Sequence, residues 1–141
     1  MTGAQMTPGA VVPALTRTIE QADMVAYAGA TWDWHRMHYD PEFLAAKQLD
    51  RAVVDGQVFG ALLAEQIQDW LGERVFITKL HFRFRNLVFA GETVKCTAAV
   101  TAIEPADGGM SLLTIESQVV VVGDDARVAV APAGAEALWR P

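Results

Sequence analysis

The run Val58-Phe59-Gly60-Ala61-Leu62-Leu63-Ala64 is apolar on every side. A helix of that kind cannot lie on a surface and must be enclosed by the rest of the chain. Asp55-Gly56 is an entry and Gly72 a stop, so a helix is predicted over Gln57 to Leu71. In its second half Ile67, Trp70 and Leu71 fall inward, while Glu65, Gln68 and Asp69 fall outward. The remainder of the chain is strand-like. Val75 to Leu87 alternates, with Leu80, Phe82 and Phe84 on one face and Lys79, His81, Arg83 and Arg85 on the other. Further strands are predicted over Thr93 to Ile103, Met110 to Val122 and Ala126 to Ala131, the last resuming from Ala135 to Trp139 after Pro132. Pro105 to Gly109 and Gly123-Asp124-Asp125 supply the turns. One enclosed helix followed by antiparallel strands implies an α+β domain whose sheet wraps around that helix. Such a sheet leaves open edges and an open helix face, which dimerisation completes.

Ahead of the helix, residues 1–9 contain Gly3, Pro8 and Gly9 and read as a flexible lead-in. Leu15 to Ile19 alternates and predicts a short strand. Thr18 is a candidate N-cap for a helix carrying Met24, Val25, Tyr27 and Ala28, with Gly29 as its stop. Thr31 to Asp40 has no clean period and reads as a structured loop. Asp40-Pro41 opens a short helix that runs to about Gln48, with Asp as cap and Pro in the first turn.

The chain has 141 residues, enough for one domain with a real core, so 1–141 is read as a single unit. No apolar run approaches the roughly 20 residues that span a bilayer. Met1 to Val12 lacks the basic start and long apolar run of a secretory signal. A single Cys96 excludes an internal disulfide framework and fits a reducing cytoplasm. With three His and one Cys, a dedicated zinc site is not expected. The net charge of −6 argues against nucleic acid as a partner, since non-specific binding relies on cationic surface.

The stretch from Trp32 to Gly56 carries the chemistry. It places Asp33 and His38 five residues apart in a loop and delivers Gly56 to the start of the buried helix. A carboxylate and an imidazole make an acid/base pair. A helix N-terminal N–H, free of intrahelical partners and with the dipole behind it, meets negative charge developing on a carbonyl oxygen. An Asp-x4-His pair alone has little specificity and is more simply a capped, packed loop. The Asp-Pro next in the chain, the Gly at the right distance and the buried helix tip the reading toward catalysis. His35 reads as loop-supporting and Asp40 as a cap. Asp55 caps the helix or touches substrate, and capping is the stronger reading. Trp32, Trp34 and Tyr39 read as packing around the loop, and Cys96 as a small buried residue.

These residues resemble a known family. Asp33-x4-His38, then Tyr39-Asp40-Pro41-x-Phe43, then Val54-Asp55-Gly56, is similar to the MaoC-like dehydratases, which include the (R)-specific enoyl-CoA hydratases. Their pattern is Asp-x-Asn-Pro-x-His, then Asp-Pro, then an apolar pair and His-Gly-Met opening the long helix. Phe84-x-x-Leu87-Val88-Phe89-Ala90-Gly91-Glu92 resembles the family's strand and turn after that helix. The likeness covers about Tyr27 to Val100. Here His35-Arg36 stands for the usual Asn-Pro, Asp55 for the His, Gln57 for the Met, and Ala64 for a frequent Ser.

The resemblance implies a hot-dog fold, in which an antiparallel sheet wraps one long helix, and a dimer. It implies reversible addition of water to a 2-enoyl-CoA, giving a 3-hydroxyacyl-CoA. Asp33 and His38 are then the catalytic pair, the Gly56 N–H the oxyanion donor, and Asp55 and Gln57 neighbours of substrate. Lys79, Arg83 and Arg85 are candidate contacts for the coenzyme A phosphates, although such a stripe is more often a solvated strand face. Coenzyme A is part of the substrate, no further cofactor or metal is expected, and acyl carrier protein is an alternative carrier. Gly60, Ala61 and Ala64 suggest room for a long or bulky acyl group. The partner is a second copy or another hot-dog chain, as in mixed pairs acting on steroid-CoA esters. A hot-dog thioesterase ranks last, since it needs a water-activating carboxylate on or beside the helix, where only Asp55, Glu65 and Asp69 stand.

Overall fold

The fold was obtained as a computed structural model that describes residues 6–141. It contains β1 (Val11–Thr18), α1 (Gln21–Thr31), a 3-10 turn over Arg36–His38, α2 (Pro41–Ala46) and α3 (Gln57–Leu71). These are followed by β2 (Val75–Phe84), β3 (Thr93–Pro105), β4 (Ser111–Val122) and β5 (Arg127–Trp139). The five strands form one antiparallel sheet in the order β1-β3-β4-β5-β2, and α3 packs against it. This is the hot-dog arrangement.

α3 begins and ends where its sequence signals place it. Its inner face is fully sequestered through Phe59, Leu63 and Ile67, while Ala61 is exposed. The open faces of the helix and sheet are therefore real, since β1 and β2 are the sheet edges and Phe76 on β2 is 70% exposed. Gln66, a buried polar residue in the third turn, donates from Nε2 to the carbonyls of Pro13 (2.9 Å) and Cys96 (3.1 Å). It thus ties the helix to β1 and β3 at the point where the β1 register shifts between Val12 and Leu15.

Several local expectations change. Residues 6–9 are not a loose lead-in: Gly9 N–H donates to Val100 O at 2.7 Å and Met6 packs on the core. The first five residues of the expected flexible segment lie outside the described residues. Thr18 is the last residue of β1, its hydroxyl 2.6 Å from that of Thr93, and Glu20 caps α1 instead. Asp23 accepts from the Glu20 N–H at 2.8 Å, so the reciprocal cap lies two residues beyond the Thr. Gly29 does not stop α1, which runs on to Thr31 and ends with Trp32 at φ 59°. β5 is one strand, not two. Pro132 falls between the Val130 and Ala133 pairings, where the register shifts and the ladder requires no N–H from it.

Candidate active site

Each element brings one part of the site into place. The left-handed turn at Trp32 lets Asp33 N–H donate to Ala28 O at 3.1 Å, which swings the Asp33 side chain off the end of α1. The next element, the 3-10 turn, is started by His35, whose Nδ1 accepts from Met37 N–H at 3.2 Å. It ends on His38, which is 7% exposed. Asp40 then caps α2, accepting from the N–H groups of Glu42 (3.0 Å) and Phe43 (3.3 Å) while pairing with Arg36 at 2.7 Å. The Arg36 guanidinium, with the Phe43 N–H, holds the Asp40 carboxyl below its usual range. His35 and Asp40 thus support the loop that carries the pair.

His38 Nδ1–H donates to Val53 O at 2.6 Å. A carbonyl can only accept, so this bond fixes the neutral tautomer and leaves Nε2 as the basic nitrogen. Val53 is held in turn by its own N–H, which donates to Met37 O at 3.0 Å. Asp33, His38 and Asp55 each present a donor atom, all within 4.8 Å of one another. They are also the described residues that could together hold a cation. Asp55 is 9% exposed, and its Oδ1 accepts from Gln57 N–H at 2.9 Å. The expected cap is therefore made, and the same carboxylate stands beside the pair.

Gly56 is the N-cap of α3. Its N–H has no acceptor among the described residues, and Gly56 lines a cleft of about 330 Å³. The cleft is lined by His38, Asp55, Gly56, Phe59, Phe84 and Arg85, among others. Two aromatic rings of β2 lie on the glycines of α3. The Phe84 ring occupies the space of a Gly56 side chain, and a β-carbon at Gly60 would stand 2.6 Å from Phe82 Cε1. The small residue at 60 therefore leaves no room for an acyl group, because Phe82 has taken it.

The basic stripe divides. Lys79 pairs with Glu136 at 3.2 Å, and Arg83 is exposed on β2. Arg85 has left the strand to line the cleft, and its Nε donates to Ala131 O at 2.6 Å, the carbonyl freed by the β5 register shift. Gln57 itself is exposed, its backbone held by Asp55. Trp32 is 80% exposed and meets Trp34 edge-on at 6.0 Å, so only Trp34 and Tyr39 pack the loop as expected. Cys96 is buried, and burial pushes its thiol up to about 11, which fits an inert core residue.

One residue of the site escapes the sequence patterns. Tyr27 was legible only as an apolar position on α1, yet its phenol is pushed above the usual tyrosine range. Burial is the main cause, followed by the charges of Asp55 and Asp33. It therefore lies near enough to feel the charge of both carboxylates.

A model of the MaoC-like domain matches residues 4–122. An (R)-specific enoyl-CoA hydratase of Aeromonas caviae is 28% identical over 93 residues, 63% of this chain and 67% of that protein. A mitochondrial 3-hydroxyacyl-[acyl-carrier-protein] dehydratase of Arabidopsis thaliana is 28% identical over 80 residues, 56% of this chain but 47% of that protein. Both relatives are hydro-lyases. Among solved structures, a chain of the ChsH1–ChsH2 complex of Mycobacterium tuberculosis superposes with a TM-score of 0.79 at 25% identity, covering 96% of this chain and all (100%) of that one. The (R)-hydratase of A. caviae superposes with a TM-score of 0.81 at 23% identity, over 99% and 100% of the two chains, and shares the fold. With its sheet, its enclosed helix and most of its length accounted for in this way, the chain belongs to the MaoC-like dehydratase family.

Proposed function

We propose that this hydro-lyase adds water reversibly to a 2-enoyl thioester of coenzyme A, giving the 3-hydroxyacyl thioester. One observation carries the reading: a carboxylate and an imidazole lie within 4.8 Å of each other beside the open N-terminus of a buried helix. Water held by Asp33 and His38 attacks the β-carbon. As the new C–O bond forms, a water proton passes to His38 Nε2, the Cα–Cβ π bond opens, and charge moves to the thioester oxygen. The Gly56 N–H and the dipole of α3 meet that charge. Collapse of the enolate takes a proton at the α-carbon from the same pair, so one water is added in all. Elimination is the reverse of these steps. The two relatives act by name on an enoyl-CoA and an acyl-carrier-protein substrate, which supports the thioester class.

Hydration is followed as loss of the conjugated-thioester absorbance, with a short and a bulky 2-enoyl-CoA. Asp33→Asn and His38→Gln should each lower turnover at least ~100-fold while the fold is kept. Activity surviving both changes would remove the acid/base assignment.

The assembly is proposed to contain a second hot-dog chain, either a copy or a distinct partner. The unpaired edge of β2, with Phe76 exposed, supports a partner there, and the ChsH1–ChsH2 neighbour is itself a complex. Light scattering behind gel filtration tests this: a stable homodimer favours self-pairing, a monomer that aggregates favours a distinct chain, and a stable, active monomer refutes it.

A further inference from the structure

We propose that Asp55 is a positioning residue of the acid/base pair, a second carboxylate that stabilises His38 when the imidazole takes a proton. The inference rests on the hydratase reading and assigns a third member to its site. Capping α3 does not by itself require an Asp at this place, because Asn, Ser or Thr would accept from the Gln57 N–H equally well. The carboxylate at 55 is 9% exposed, and among the described residues that single N–H is its only hydrogen-bond donor. A buried carboxylate is costly unless a positive charge or several donors answer it. The one group in its cluster able to become positive is His38, within 4.8 Å.

The surroundings of His38 sharpen the point. From the loop after α1 comes Asp33, from the mouth of α3 Asp55, and from its own loop His35, with ring centroids 5.9 Å apart, while Tyr27 on α1 feels the charge of both carboxylates. Arg85 stands on the cleft wall, with its Nε on Ala131 O. The imidazolium formed when water gives up its proton therefore has two carboxylates within 4.8 Å. Asp33 is exposed, whereas Asp55 is buried and anchored to backbone. Asp55 cannot turn away, so its charge acts through His38.

Asp55→Asn removes the charge and keeps the cap acceptor and the volume. With a 2-enoyl-CoA, kcat should fall roughly tenfold or more while KM changes little. The acid limb of the kcat/KM profile should move to lower pH, and Asp55→Glu should restore part of the loss. A merely structural cap predicts none of these, and Asp55→Ser serves in its place if the Asn variant does not fold. A readout that needs no turnover accompanies it. In a Tyr39→Phe background, the absorbance of Tyr27 near 295 nm is titrated by rapid pH jump with and without Asp55→Asn. Loss of the Asp55 charge should move the Tyr27 titration down toward the ordinary tyrosine range. An Asn variant with wild-type kcat and pH profile overturns the proposal. If no enoyl thioester is turned over by the wild type, the hydratase reading fails, and the Tyr27 titration still decides whether Asp55 is charged and facing the site.

Discussion

The Phe84 ring lies in the space that a Gly56 side chain would fill. The residue whose N–H is proposed to hold the thioester oxygen is thus also the floor on which a cleft-lining aromatic rests. Gly56→Ala should displace the ring and cost about 1–3 kcal/mol in overpacking, read as a lower urea midpoint. Turnover should fall with it, because the ring and the N–H share one edge of the cleft. Adding Phe84→Leu should recover most of the stability, and a double-mutant cycle should show coupling between the two. Additive losses would mean that the ring moves freely.

Gln66 is the polar residue on which the helix–sheet packing turns. Its Nε2 serves two carbonyls, one of them on the irregular part of β1. Gln66→Leu keeps the volume and leaves the Pro13 and Cys96 carbonyls without that donor. A loss of roughly 1–3 kcal/mol is expected, with kcat nearly unchanged, since the residue lies nearly three turns along α3 from Gly56. Chemical denaturation followed by tryptophan fluorescence checks it.

Glu92 gives the fold a pH dependence. Burial works against its charge, but the Arg127 guanidinium, at 2.6 and 3.0 Å from its two oxygens, together with the Phe89 N–H, holds the carboxyl below its ordinary 4.5. A carboxyl depressed in the folded state stabilises above its unfolded value and loses that contribution as pH falls through the folded one. Wild type should therefore lose stability as pH drops below about 4.5, the ordinary value. Glu92→Gln should be less stable at neutral pH and lose less over that acid range. Thermal midpoints between pH 7 and pH 3 decide it, and parallel curves for the two proteins would refute the linkage.

The sequence was most legible where one physical signal stood alone. The all-round apolarity of Val58–Ala64, between Asp55-Gly56 and Gly72, set the limits of α3 correctly, and strand-like runs between turns located β2 to β5, with β5 expected in two pieces. The Asp33–His38 pair was visible through the Asp-Pro and Gly56 later in the chain, and the structure brings the two side chains together. The hidden features depended on partners distant in the chain. Thr18 looks like a cap until its hydroxyl is claimed by Thr93, 75 residues away. Pro132 looks like a strand end until the register shift makes its missing N–H harmless. Gln66 offers no pattern at all, because its use is set by a carbonyl on β1. Gly60 reads as free space until Phe82 is placed in it.

The cleft wall hangs from the last strand. Arg85 reaches Ala131 O, Asn86 Nδ2 reaches Val128 O at 2.8 Å, and Arg127 donates to Leu87 O at 2.7 Å. The loop bearing Asp33 and His38 is fastened to α1 and to Val53. Two inheritances meet at one pocket, and they can drift apart. A lineage that slides the irregularity in β5 by a residue re-hangs the wall and resizes the cleft, while the loop bearing Asp33 and His38 keeps its own ties. Descendants could in this way come to differ in what they admit long before they differ in what they do to it.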